Sequence, residues 1–164
     1  MTRFDKILSL DSGPFWQFVK YGTIGVLATL VQTGVCYLVS ALCLNCLGPG
    51  DWAVENLGLP AAQGISDGVR SFRFAVDTAI GFVVANVFCW LMNRKFVFRP
   101  GRYPWHLELA MFFGASTFAT VVALGLATAL INWAGLMSSL ALLIEIVCSF
   151  LVNFFVRKFF IFKG

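Results

Sequence analysis

Charged residues are scarce in this sequence. They make up 12% of its 164 residues, while 59% are hydrophobic and the mean hydropathy is +0.84. A soluble globular domain carries roughly a quarter charged residues, so this composition excludes an ordinary soluble domain and predicts a chain embedded in lipid. A spanning helix needs about 20 residues, so the length has room for four or five of them. We therefore expect a single membrane domain over residues 1–164.

The residue sets that usually support catalysis are also missing. There is one histidine, His106, and five cysteines. Cys43 and Cys46 have the spacing of a redox or metal-binding pair, but no second Cys/His pair accompanies them. No nucleophile–base pair, phosphate-binding loop or metal-ligand set is recognisable. The sequence therefore predicts a protein that is not an enzyme and that needs no metal or cofactor.

The apolar residues fall into four segments long enough to span a membrane. The first two are residues 18–44 and 74–93, separated by a long loop, 45–72. Residues 109–144 carry no charge, which is too long a run for one span, and Asn132-Trp-Ala-Gly135 within it is typical of a turn. This turn divides the run into helices over about 107–131 and 136–156. The fold class is thus predicted as an all-α membrane protein of four transmembrane helices.

The basic residues predict how these helices are oriented. Ten of the twelve lie in the N-terminal segment, the 94–106 connection and the C-terminus, and only Arg70 and Arg73 lie between the first two predicted helices. Cytoplasmic loops are enriched in Lys and Arg, so both termini are expected on the cytoplasmic side and the 45–72 loop on the outer side. The net charge of +4 is then explained by topology and by attraction to anionic membrane lipids, and requires no nucleic acid.

The sequence also repeats internally. Asn93-Arg-Lys-Phe-Val-Phe98 closes the second predicted helix, and Arg157-Lys-Phe-Phe-Ile-Phe162 closes the fourth at an offset of 64 residues. Each half contains two spans, so both halves enter the membrane in the same sense. Such parallel repeats are related by a pseudo-twofold axis along the membrane normal.

Acidic and polar residues within the spans are the first candidates for function. Glu145 lies near the middle of the fourth helix, where a carboxylate is costly and is functional by default; the alternative is a protonated side chain that only joins helices. Asp77 is predicted near the outer end of the second helix, either functional or held in a surface salt bridge with Arg73 or Arg70. These two arginines are also candidates for binding an anion on the outer side. Asn153 lies one turn from the second basic pair, which favours a functional role over a hydrogen bond that only joins helices.

Basic residues at the inner helix ends form a second candidate site. Alone, they are typical of charges that only fix topology. Here each pair is followed by Phe-rich sequence and recurs in register, which favours binding of a phosphate by the cations and of an apolar tail or sugar by the aromatic rings. The predicted phosphate-binding residues are Arg94, Lys95, Arg157, Lys158 and Lys20.

These patterns resemble the GtrA-like family, in which each half ends in Asn-Phe-x-x-Asn-Arg-x-aromatic-x-Phe. The first copy here reads Cys89-Trp-Leu-Met-Asn93-Arg94-Lys-Phe96-Val-Phe98, with Cys89 in place of the leading Asn. The second reads Asn153-Phe-Phe-Val-Arg157-Lys158-Phe-Phe160-Ile-Phe162, with Arg157 and Lys158 in place of Asn and Arg. The resemblance covers about 15–164, and the 45–72 loop looks like an insertion relative to it.

The resemblance implies a role in synthesis or modification of cell-surface polysaccharide at the cytoplasmic membrane. The leading expectation is a flippase for a polyprenyl-phosphate-linked monosaccharide, working as a homodimer. The cationic cluster would hold the phosphate, while Glu145 and Asp77 would bind sugar hydroxyls or a coupling proton. A membrane adaptor that recruits a glycosyltransferase is the second hypothesis. A small-solute or drug exporter is the third, since such proteins are also four short helices with an embedded Glu.

Overall fold

The computed structural model describes residues 10, 13–99, 103–134 and 138–162, and within the last two helices the side chains of 127–128, 131, 134, 138–143 and 145 lie outside that description. Every regular element in this part of the chain is a helix. We number them α1, Pro14–Val39; α2, Trp52–Leu57; α3, Asp67–Phe96; α4, Trp105–Ala134; and α5, Ser138–Val156. Two π-helical segments, Ser40–Leu44 and Arg157–Ile161, extend α1 and α5. The basic residues Arg3, Lys6, Arg102 and Lys163 lie outside the described residues.

Three helical stretches are long and apolar enough to cross a membrane: Pro14–Leu44, Asp67–Phe96 and Trp105–Leu126. Their large apolar side chains point outward to an extent that water would not tolerate; Leu42 is 73% exposed and Val121 is 64% exposed. Lipid removes this cost, since its hydrocarbon is as apolar as the side chains themselves. The α5 helix occupies the position of the fourth predicted span.

Several helix ends differ from the sequence prediction by a few residues, and the largest difference is at the start of α3. The α3 helix starts at Asp67, seven residues before the predicted start at 74, because Ser66 caps it: the backbone N–H of Val69 donates to Ser66 Oγ and that of Arg70 to Ser66 O. The charges at 67–73 had indicated a loop. They instead lie on the first turns of the helix.

Part of the turn predicted at 132–135 is helical. The α4 helix continues through Ala134, so Asn132 and Trp133 are helical, and Gly135 lies outside the described residues. Local turn preference is weak beside the demand that backbone groups in an apolar medium stay hydrogen-bonded, and this demand favours a continued helix.

The chain forms two compact units, which are described separately. The first, here the motif unit, contains the described residues up to Gly22 and those from Trp90 onward; the second, the connection unit, is Thr23–Cys89. Within the motif unit, α4 packs along α5 and its π-helical extension. Within the connection unit, the long loop of the sequence prediction is folded, since it contains α2 and the first turn of α3.

The segment before α2 is held by backbone hydrogen bonds. Ala62 N–H donates to Leu47 O at 2.7 Å, and Asn45 adopts the left-handed region at φ 47° to end the π-helical segment. The side chain of Cys46 is buried, and its thiol donates to Ser40 Oγ. The connection from 45 to 66 is therefore an ordered structure rather than a simple link.

Candidate functional site

The two copies of the repeated motif share a backbone hydrogen bond at their ends. Phe98 N–H donates to Asn93 O at 2.9 Å, and Phe162 N–H donates to Arg157 O at the same distance. Both bonds join residues five apart, which is the π-helical pattern. Because Asn93 and Arg157 are related by the 64-residue offset, the sequence repeat is also a repeat of backbone geometry.

Burial follows the same repeat. In each copy the last two residues of the motif are buried and the aromatic residue before them is exposed; the pairs are Val97 with Ile161, Phe98 with Phe162, and the exposed Phe96 with Phe160. The rings of Phe98 and Phe162 stack on each other, with centroids 5.1 Å apart and planes at 17°. The two motif copies therefore meet through equivalent aromatic side chains.

Further aromatic rings surround this contact. Phe154 lies 6.2 Å from Phe98 and 5.3 Å from Tyr21, measured between ring centroids. Phe150 packs on Tyr21 at 5.2 Å and also lies 3.6 Å from where a Cβ on Gly22 would stand. Offset and edge-on ring pairs such as these each contribute about 0.5–1.5 kcal/mol beyond area burial. The aromatic residues after the basic pairs thus form a packed cluster.

Arg157 lies inside this aromatic cluster and not at its edge. The residue is 5% exposed. Its Nη1 donates to Tyr21 Oη at 3.1 Å and its Nη2 to Ser116 Oγ at 2.7 Å, while its Cζ lies 3.6 Å from the centroid of the Phe112 ring. A desolvated cation over a ring face gains about 2 kcal/mol. The prediction had Arg157 at an open cationic edge; here its charge is bound to internal partners.

Arg94, the basic residue next to Asn93, is also engaged internally. Its Nη1 lies 3.4 Å from Oε1 of Glu108, and its guanidinium lies 5.5 Å from the Trp90 ring centroid. Trp90 Nε1 donates to the same carboxylate oxygen at 2.8 Å. Glu108 is fully buried, and its Oε2 has no hydrogen-bond partner within the described part of the chain. About a third of the Arg94 side chain, 32%, stays accessible.

Sequence reasoning missed Glu108. It stands 14 residues after Arg94, at the boundary between the basic connection and the uncharged run. An isolated acid at such a boundary is the one signal that could have drawn attention to it, because a membrane boundary acid needs a cationic partner. Nothing in the sequence indicated that Arg94 was that partner.

None of the three lysines of the predicted cluster is fully buried. Lys95 is exposed with its Nζ 5.2 Å from the Phe96 ring centroid, and Lys158 is half-buried with its Nζ 5.4 Å from that of Phe154. Lys20, in α1, is half-buried as well. In both motif copies, therefore, an accessible ammonium group adjoins a phenyl ring.

Two of the predicted sugar- or proton-binding residues, Glu145 and Asn153, belong to α5. Glu145 is the eighth residue of the helix, and its side chain lies outside the described ones. Asn153 donates from Nδ2 to Ser149 O at 3.0 Å, and its buried Oδ1 has no hydrogen-bond partner among the described residues. Asn153 lies one turn before Arg157 on the same helix.

Asp77 lies deeper than the sequence indicated. Because α3 begins at Asp67, Asp77 is ten residues along it, or about 15 Å from its start. It is 2% exposed, beside the thiols of Cys36 and Cys46, and its Oδ1 has no hydrogen-bond partner within the described part.

The arginines expected near Asp77 have other partners. Arg73 donates to Leu44 O at 3.0 Å, and Arg70 pairs with Asp67 at 3.1 Å. The predicted salt bridge between Asp77 and either arginine is therefore wrong. Asp77 is instead a buried carboxylate packed between α1 and α3 of the connection unit.

The model of one protein family matches most of this chain. It describes the GtrA/DPMS transmembrane domain, and the match covers residues 20–162, which includes both motif copies and all the helices except the first turns of α1. No curated protein and no solved structure matches the chain. The family and the apolar helices together make this a membrane protein, and the family is associated with glycosyl-lipid-related processes. The chain belongs to the GtrA/DPMS transmembrane domain family.

Proposed function

We propose that this protein moves a polyprenyl-phosphate-linked monosaccharide across the cytoplasmic membrane, for synthesis or modification of cell-surface polysaccharide. The observation that supports it is the doubled motif end, where an accessible lysine adjoins an aromatic ring in both copies. A phosphate attached to a polyprenyl chain needs a cation beside an apolar surface, and this edge offers both twice. The reaction class is translocation without bond chemistry, so no catalytic residues are assigned.

We divide the predicted phosphate site according to the surroundings of its cations. Lys95, Lys158 and Lys20 are the accessible cations, and we assign them to the phosphate. Arg157, buried against Phe112, positions the aromatic cluster on which the lysines rest. Arg94 is partly accessible and paired with Glu108. We therefore assign it both to phosphate binding and to holding the internal structure in place. A compact ammonium on a flexible stem suits a passing phosphate, whereas the planar guanidinium suits fixed partners.

In this proposal, the acidic and amide side chains within the spans bind the sugar or a proton. Glu145 lies about 10 Å along α5, where an uncompensated carboxylate is costly and is functional by default. The buried amide oxygen of Asn153, which has no partner within the described part of the chain, would accept a hydrogen bond from a sugar hydroxyl. Asp77, in the connection unit, is a second candidate for binding the coupling proton because it is buried and its Oδ1 has no hydrogen-bond partner among the described residues. Four spanning helices with both termini in the cytoplasm, and a homodimer, belong to the same proposal.

The test is translocation by the purified chain alone in proteoliposomes. A short-chain polyprenyl-phosphate hexose is placed on one leaflet, and its appearance on the other is followed by periodate oxidation from outside. The double variant Lys95→Gln with Lys158→Gln should slow translocation by about tenfold, since tenfold corresponds to only about 1.4 kcal/mol and two charge contacts are lost. The matched control, Lys95→Arg with Lys158→Arg, keeps both charges and should retain most of the rate.

Glu145→Gln provides the second arm of this experiment. It should abolish most translocation at unchanged membrane abundance, while Glu55→Gln, in the short helix α2, should behave as wild type. Absence of translocation by the wild-type chain, together with capture of a glycosyltransferase, would favour the adaptor function instead. Equal translocation rates for the lysine double variant and its arginine control would contradict phosphate binding by these lysines. The lysines would then only set the orientation of the helices in the membrane.

A further inference from the structure

A cavity of about 490 Å³ opens in the connection unit, between the segment that precedes α2 and the first turns of α3. The residues with functional groups on its wall are Asp51, Arg70, Ser71 and Phe74. Gly48 lines the other side. The phosphate-binding cluster belongs to the motif unit and none of its residues lines this cavity, so the proposed phosphate site does not account for it.

The wall of this cavity is built from fixed parts. Gly48 N–H donates to Asp51 Oδ2, and Arg73 donates to Leu44 O at 3.0 Å, which fixes the end of the π-helical segment against α3. Gly48 also allows a close approach: a Cβ there would stand 3.1 Å from Arg70 Nη1 and 3.3 Å from Asp51 Oδ2. Because the segment is already ordered, a ligand would not have to pay for ordering it.

The chemistry of the wall is mixed. Arg70 offers guanidinium donors and is 41% exposed at its side chain, and its Nη2 lies 3.1 Å from Asp67 Oδ1. Asp51 offers carboxylate acceptors and Ser71 a hydroxyl, while Phe74 presents an aromatic ring that is 57% exposed. Sites of this kind hold a ligand by a few convergent polar groups beside an apolar surface.

The charge balance favours a neutral ligand over an anion. Two carboxylates, Asp51 and Asp67, balance the charges of Arg70 and Arg73, so this region carries no excess of positive charge. Arg73 does not line the cavity and donates to the Leu44 carbonyl. A phosphate needs an excess of positive charge or several N–H donors. Paired donors and acceptors beside a flat ring instead match the hydroxyls and the apolar face of a sugar.

We infer that this cavity binds a neutral glycosyl group. The inference rests on the proposed function for its setting, because the predicted topology places the connection unit's loop on the outer side, where a translocated sugar arrives. The glycosyl group is carried either by the polyprenyl-phosphate lipid or by the polysaccharide that accepts it. The site would then hold the sugar during release to the outer side.

The experiment measures binding without transport. The purified full-length chain in lipid nanodiscs is titrated with the methyl glycosides of glucose, galactose, mannose and N-acetylglucosamine, and saturation-transfer NMR reports contact. Gly48→Ala should lower the affinity for the glycoside by about tenfold, because the added methyl group displaces Arg70 or Asp51. Its control is Gly68→Ala, since a Cβ on Gly68 meets nothing within 4 Å and Gly68 does not line the cavity.

A second variant separates a loss of binding from a loss of folding. Phe74→Leu keeps an apolar side chain at an exposed position but removes the flat ring, so it should weaken glycoside binding while helix content and thermal midpoint stay as in the wild type. No binding of any glycoside, or binding that neither Gly48→Ala nor Phe74→Leu weakens, would overturn the inference. Inorganic phosphate displacing the glycoside would overturn it too, in favour of an anion site.

Competition identifies the source of the sugar. Displacement of the methyl glycoside by a short-chain polyprenyl-phosphate monosaccharide supports the site with the lipid as source, and displacement by an oligosaccharide of the same sugar supports it with the polymer as source. The two proposals fail separately. Glycoside binding with no translocation in proteoliposomes would contradict the flippase function and support the glycosyl site. Translocation without glycoside binding would contradict only the glycosyl site.

Discussion

The arginines and lysines of the two motif copies differ in their surroundings. Arg157 is buried among Tyr21, Ser116 and Phe112, and Arg94 reaches a buried carboxylate. Lys95 is exposed and Lys158 is half-buried. This division follows from the side chains: the guanidinium is weakly hydrated and fits several fixed partners, while the ammonium is strongly hydrated and resists burial.

The ion pair between Arg94 and Glu108 leads to an asymmetric prediction. Arg94→Met leaves the fully buried Glu108 without its cation, and we expect it to lower the free energy of unfolding by about 3 kcal/mol. Glu108→Gln should cost only about 1 kcal/mol, because the amide oxygen still accepts from Trp90 and the partly accessible Arg94 can hydrate. Unfolding in mixed micelles titrated with SDS measures both. Equal losses, or a larger loss for Glu108→Gln, would contradict the burial of Glu108.

Two features of the helices concern their contacts and their ends: a close approach at a small residue, and π-helical segments. Both the segment before the connection and the last turn of the chain are π-helical, and the end of α3 makes the same hydrogen bond without a full π-helical turn. In the connection unit, α1 approaches α3 at Gly81, where a Cβ would stand 2.5 Å from Cys36 Sγ and 3.2 Å from Gln32 O. Glycine is therefore required at this crossing.

Gly81→Ala tests that approach. The added methyl group cannot be accommodated without moving a helix backbone, so we expect a loss of about 1–3 kcal/mol in the free energy of unfolding. Gly34→Ala, in α1 of the same unit, is the matched control. A Cβ there meets nothing within 4 Å, and alanine should raise helix stability by a few tenths of a kcal/mol to about 1 kcal/mol. A Gly81→Ala protein as stable as the control would disprove the close crossing.

At the scale of the whole molecule, the chain is a membrane protein whose halves repeat in sequence and in the geometry of their ends. A parallel repeat duplicates one edge on the same side of the membrane. The connection after α1 occurs in the first half alone, as an ordered segment with its own cavity. The proposed phosphate edge is thus doubled, whereas the proposed glycosyl site is single.

The predicted topology can be measured with a membrane-impermeant maleimide on intact cells. In a background without the native cysteines, Gln63→Cys in the connection and Trp133→Cys at the end of α4 should be labelled. Phe160→Cys should be labelled only after the membrane is permeabilised. Trp133 and Phe160 are 89% and 67% exposed, so burial does not explain a difference between them. Labelling of Phe160→Cys on intact cells, or protection of Gln63→Cys, would contradict a cytoplasmic C-terminus and an outer connection.

The helices were largely predictable, because a long apolar run in a poorly charged chain has few alternatives to a spanning helix. Their ends were less so. Ser66 and Asp67 carry the capping signal that starts α3, but the charges behind them favoured a loop. The basic–aromatic motif identified where the two copies end, yet the burial of Arg157 depends on Tyr21, 136 residues away in the sequence.

By itself the sequence determined the apolar spans, the repeat at an offset of 64 and the family, since each depends on composition and on order along the chain. Only the tertiary structure decided which cations are buried, that Glu108 is the partner of Arg94, and that Arg70 and Arg73 bind partners other than Asp77. The physical reason is that the charge state and accessibility of a side chain depend on residues distant in sequence. Their positions are fixed by packing, which periodicity and spacing do not encode.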